Sequence, residues 1–109
     1  MQRFDAPVGI IHVEGHEAFA IALRSNPTTG YTWHARVDPC HVELVSREFE
    51  AASEAIGAGG REVFTFRPHG PTETTIDFEY RRPWDKEIRE QERVQVIVSR
   101  GTPDTSVGL

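Results

Sequence analysis

Cysteine is nearly missing from this 109-residue chain: Cys40 stands alone, so no internal disulfide can form and no cysteine-based zinc framework can be built. Long apolar runs are missing too. No stretch reaches the length of a membrane span, and the opening Met1-Gln2-Arg3-Phe4-Asp5 has no apolar core of signal-peptide type. Cytoplasmic residence is the default expectation, with a periplasmic or secreted location if a leader has been removed. Lysine is reduced to Lys86, and the 12 basic residues are outnumbered by 17 acidic ones, for a formal net charge of −5. That balance argues against nucleic acid and against anionic membrane surfaces as partners. No segment carries a helical period long enough to stand alone; residues 50–56 have a helix-friendly composition but too little length, and read as loop.

What is present is alternation. One domain is expected over residues 1–100, with a polar, disordered tail at 101–109. Residues 8–14 read as a first strand. In the next, Phe19, Ile21 and Leu23 face one way and Ala18, Ala20 and Ala22 the other, which predicts a single buried face. Tyr31, Trp33, Ala35 and Val37 repeat the pattern up to Asp38-Pro39. Val42 and Leu44, with Phe49 at the margin, supply a fourth strand. Phe64 and Phe66, then Ile76, Phe78 and Tyr80, then Val94, Val96 and Val98 supply three more. About seven antiparallel strands without a disulfide predict an immunoglobulin-like β-sandwich, with a small barrel as the competing architecture.

If successive strands alternate in direction, every second connection emerges at the same end. The loops at 25–31, 50–60 and 81–92 then share one end, while Gly15-His16, Asp38-Pro39-Cys40 and Pro68-His69-Gly70-Pro71 turn at the other. Each loop at the first end has more than a connector needs. Asn26-Pro27-Thr28-Thr29-Gly30 combines a proline-fixed turn, two β-branched hydroxyls and a glycine that tolerates positive φ. Gly57, Gly59 and Gly60 allow close main-chain approach, and Trp84 follows Pro83 where an exposed, preoriented anchor is expected.

These motifs, Asn26-Pro27-Thr28-Thr29-Gly30-Tyr31-x-Trp33, Gly57-x-Gly59-Gly60 and Arg82-Pro83-Trp84, resemble in order and position the three signature loops of the chagasin family, inhibitors of papain-type cysteine peptidases. The resemblance implies a reversible, competitive inhibitor with no catalytic residue, cofactor or metal of its own, acting as a monomer. It further implies that Thr28 and Thr29 approach the peptidase's catalytic pair. Gly57 to Gly60 would lie along the non-primed side of the cleft, and Trp84, held by Arg82 and Pro83, would pack on the primed side. Tyr31 stands where many relatives have phenylalanine.

Other chemistry has less support. His12, His16, His34, His41 and His69 are scattered, without metal-ligand spacing. His41 follows Cys40 directly, but sequence adjacency does not place a base against a nucleophile, and Cys40 reads as a half-buried structural residue. An adhesion or carbohydrate-binding sandwich using Trp84 as a stacking platform is the alternative function.

Overall fold

A strand with apolar residues at every second position offers one row of side chains for burial, and two sheets of such strands close on each other here. The computed structural model describes residues 1–53 and 59–100; Gly57 and the expected tail lie outside the described residues. The strands are β1 (Gln2–Asp5), β2 (Ile10–Glu14), β3 (Phe19–Ser25), β4 (Thr32–Arg36), β5 (Val42–Ala51), β6 (Gly60–Pro68), β7 (Thr72–Arg81) and β8 (Glu90–Ser99). They form two separate four-stranded sheets, ordered β1-β3-β6-β5 and β2-β8-β7-β4, so the architecture is the sandwich rather than the barrel.

The core is the meeting of the rows that alternation picks out. Phe19, Ile21, Leu23, Phe64 and Phe66 from one sheet face Ile11, Val13, Trp33, Ile76, Phe78, Tyr80, Val94, Val96 and Val98 from the other. Phe78 crosses between the layers, edge-on to Phe64 at 5.3 Å and to Phe66 at 6.1 Å, a geometry aromatic quadrupoles favour.

Five features differ from the expectation. An eighth strand, β1, was not legible, because Gln-Arg-Phe-Asp has no apolar alternation; it is held by parallel pairing with β3. β2 likewise pairs parallel with β8, while consecutive strands from β2 onward still alternate in direction. The fourth predicted strand extends through Glu50 and Ala51, residues read as loop. A bulge between Leu44 and Ser46 shifts its parity, so Arg47 and Phe49 face the same way as Val42 and Leu44. Only Val42 of these is buried, since β5 is an edge strand and Leu44 and Phe49 remain about half exposed. Cys40 is exposed rather than half-buried, because the turn that carries it points it outward; its N–H donates to Asp38 Oδ1 at 2.9 Å.

The alanine face of β3 is also buried, against the single-face reading. Ala20 and Ala22 cluster with Val63 on the outside of the sheet. Arg3 on β1 reaches Glu50 on β5 in a two-pronged hydrogen bond of 2.8 and 2.9 Å, although β3 and β6 lie between those strands. Only small side chains on β3 leave room for such a strap. The hydrogen bonds from Arg3 hold the Glu50 carboxyl below its ordinary range.

Candidate functional site

The first loop is a folded object in its own right. Asn26 is extended and caps a single 3-10 turn, Pro27–Thr29, which ends at Gly30 with φ of 85°. That left-handed conformation is where glycine is favoured. The Asn26 side-chain oxygen accepts the Thr28 N–H at 3.3 Å and the Thr28 hydroxyl at 2.6 Å. The Thr29 hydroxyl donates to the Asn26 carbonyl at 2.7 Å and accepts the Tyr31 N–H at 3.3 Å. Thr29 N–H donates to the Asn26 carbonyl and Gly30 N–H to that of Pro27. Asn26 N–H donates to the Tyr80 hydroxyl at 3.2 Å. Proline has no N–H, so every backbone donor from 26 to 31 is engaged within the protein.

Aromatic side chains root this loop. The Trp33 indole N–H donates to the Arg24 carbonyl at 2.8 Å, tying the end of β3 to the start of β4. Tyr80 stacks between Trp33, at 4.8 Å, and Tyr31, at 5.5 Å. Trp33 is 3 % exposed and Trp84 is 76 % exposed; one tryptophan is core and the other is presented.

The second loop meets the first through its glycines. Gly59 has φ of 74°, and a Cβ there would stand 3.0 Å from the Ser25 carbonyl oxygen and 3.6 Å from Asn26 Cβ. Gly60 is packed more tightly still. A Cβ on it would overlap the Glu50 carbonyl oxygen and approach Phe49 Cζ to 2.8 Å. Sequence reasoning gave Gly60 to a partner's surface; the structure adds that its Cβ side is the floor on which Phe49 rests.

In the third loop Pro83 and Trp84 occupy the centre of a turn closed by the Asp85 N–H on the Arg82 carbonyl at 3.0 Å, with proline at the position that favours it. Asp85 in turn accepts the Glu87 N–H at 3.1 Å. The Trp84 ring lies beside Gly30: its Cη2 atom is 3.5 Å from where a Gly30 Cβ would be. The Arg82 guanidinium stands over the Tyr31 ring at 4.7 Å.

Thus Asn26, Pro27, Thr28, Thr29, Gly30, Tyr31, Gly59, Gly60, Arg82, Pro83 and Trp84 all gather at one end of the sandwich. Pro27, Thr28, Thr29, Pro83 and Trp84 are exposed; Tyr31 and Arg82 are half-buried. Sequence reasoning missed two residues that hold this end together. Tyr80 was read only as a core position. Glu62 sits unmarked between Arg61 and Val63, yet it is buried. Its carboxylate accepts the Trp33 N–H at 3.0 Å and the Arg47 Nη2 at 2.6 Å.

Near the same end, His34 on β4 is partly buried, and burial, reinforced by the Arg81 charge, lowers its pKa below the ordinary histidine value. Thr32 Oγ1 lies 3.3 Å from its Nε2.

Comparison with known proteins places this geometry. A family model described as chagasin family peptidase inhibitor matches residues 12–98. Amoebiasin-2 of Entamoeba histolytica is 31 % identical over 80 residues, spanning 70 % of this chain and 64 % of its own length. Chagasin of Trypanosoma cruzi is 30 % identical over 88 residues, 75 % of this chain and 80 % of its own. The crystal structure of a cysteine protease inhibitor from Entamoeba histolytica superposes with a TM-score of 0.78 at 24 % identity, covering 90 % of this chain and 95 % of that one. The match is to inhibitors rather than enzymes, and it does not favour the adhesion or carbohydrate-binding alternative.

Proposed function

This chain belongs to the chagasin family of peptidase inhibitors, and from that premise we propose that it is a reversible, competitive inhibitor of papain-type cysteine peptidases. The inhibiting surface is the end formed by Asn26 to Tyr31, Gly59 and Gly60, and Arg82 to Trp84, with Gly57 assigned to it from the sequence alone. The observation that carries the reading is the contact between loops: Gly59 against Ser25 and Asn26, and Trp84 against Gly30. Convergent loops of this kind make one continuous edge.

An inhibitor must fill a cleft without being cut. The 3-10 turn does this by tying its carbonyls at Asn26 and Pro27 into internal hydrogen bonds, so that neither is free to align with an attacking nucleophile. Its internal bonding also lowers the ordering cost of association. Thr28 and Thr29 enter towards the catalytic cysteine and histidine. The glycine loop follows the non-primed side through its main chain, and Trp84 anchors on the primed side. Together the loops can approach the roughly 1,600 Å² typical of protease–inhibitor contacts.

Titration of papain with the protein, read by hydrolysis of a fluorogenic peptide, tests the reading. Competitive, fully reversible inhibition at one inhibitor per enzyme is expected. Inhibition that persists after dilution, or cleavage between Asn26 and Tyr31 as the inhibited state, would overturn it.

A further inference from the structure

Arg89 lies outside all three loop motifs, near the far limb of the third loop. Its N–H donates to the Tyr80 carbonyl at 2.8 Å, where the limb rejoins the sheet. Its guanidinium stands 5.2 Å from the Tyr31 ring centroid, on the ring that Arg82 approaches at 4.7 Å from the near limb. Neither arginine forms an ion pair with an acidic side chain among the described residues. Both therefore direct their charge at one aromatic ring, an attraction set by the ring's quadrupole. Tyr31 is itself backed by Tyr80 at 5.5 Å and hydrogen-bonded to Thr29. Trp84 is two residues beyond Arg82, with its ring beside Gly30.

We propose that Arg89 is a positioning residue: by clamping the Tyr31 ring opposite Arg82's limb, it fixes the Trp84 loop relative to the Thr28–Thr29 loop. The consequence for inhibition rests on the function proposed above; the clamp itself does not. Arg89 adds a side-chain restraint to the hydrogen bonds that close this limb, so Trp84 reaches a partner already oriented rather than losing freedom on contact. A lysine would keep the charge but not the planar guanidinium, whose shape suits an aromatic face.

The test uses the intact protein without peptidase first. Nitrogen-15 relaxation of the Trp84 indole N–H, assigned with Trp84→Phe, reads the mobility of the ring. Arg89→Ala should lower its order parameter, with Arg89→Lys intermediate and the Trp33 indole unchanged. Against papain, Arg89→Ala should weaken inhibition about two- to fivefold, the span of an exposed cation–π contact. The same substitution made in Trp84→Ala should have no further effect. An unchanged Trp84 order parameter would overturn the proposal. So would a loss of inhibition that adds fully to that of Trp84→Ala, since Arg89 would then touch the peptidase directly. Absence of papain inhibition by the parent protein would sink the proposed function and leave the relaxation result to decide the clamp.

Discussion

Glu62 of one sheet accepts the backbone N–H of Trp33 in the other, at 3.0 Å. Trp33 pairs with Tyr80 on one side only, because β4 is the edge of its sheet, and its N–H would otherwise have no strand to bond. The same carboxylate takes Arg47 from β5, so one buried side chain closes the open flank of the sandwich beneath the first loop. Removing the acceptor leaves a buried donor unsatisfied. Glu62→Ala should destabilise by about 1–3 kcal/mol, and Glu62→Gln by less, because the amide oxygen can still accept. Urea melts of the two variants check the order; equal losses would mean that charge, not the acceptor, matters.

The tryptophans should separate stability from inhibition. Trp33→Ala empties a buried, hydrogen-bonded site and should cost about 3–5 kcal/mol. Trp84→Ala should leave the melting temperature almost unchanged and weaken papain inhibition by about thirtyfold, a hot-spot loss. Thermal melts beside inhibition constants decide it.

Glycine substitutions in the second loop should report on the fold before they report on a partner. Gly60→Ala forces the Phe49 ring and the Glu50 backbone to move, with an overpacking cost of about 1–3 kcal/mol. Gly59→Ala meets a left-handed backbone, costing roughly 1–2 kcal/mol, as well as the close Ser25 carbonyl. Inhibition per folded molecule is the quantity to compare. If Gly60→Ala melts like the parent, the contact with Glu50 is not the constraint the geometry implies.

Acid should weaken the fold partly through His34. Its folded-state pKa lies below the ordinary histidine value of 6.5, chiefly through burial, so the unfolded chain binds the proton more readily. Stability from this group is intact above pH 6.5 and falls as the pH drops from there through the folded value. The loss in urea midpoint between pH 7.5 and 5.5 should be smaller in His34→Gln. Glu50, lowered by its bond to Arg3, acts at more acid pH and is common to both proteins, so the difference isolates His34.

The layers were legible because burial is written in period two: Phe19, Ile21 and Leu23, or Val94, Val96 and Val98, announce both strand and face. The exposed tryptophan was legible because Pro83 precedes it. Local order hides what depends on a distant partner. β1 exists only through its register with β3, and the β5 bulge erases the alternation that Val42 and Leu44 begin. Glu62 looks like any surface glutamate until Trp33 and Arg47 are brought to it. The internal constraint on Gly60 was hidden, since it comes from the ring of Phe49, eleven positions away in sequence and on the neighbouring strand.

The first loop turns its protons inward: both threonine hydroxyls and every backbone N–H from Asn26 to Tyr31 are already donated. Between Pro27 and Gly30, what the tip shows outward is oxygen lone pairs, methyl groups and a proline ring. Such a surface is complementary to a proton-rich neighbour and indifferent to an acceptor. No group in the Pro27–Gly30 turn titrates, so any pH dependence of binding contributed by this tip belongs to the molecule it meets. At this tip it is the target that decides when, along the acidity scale, the two fit.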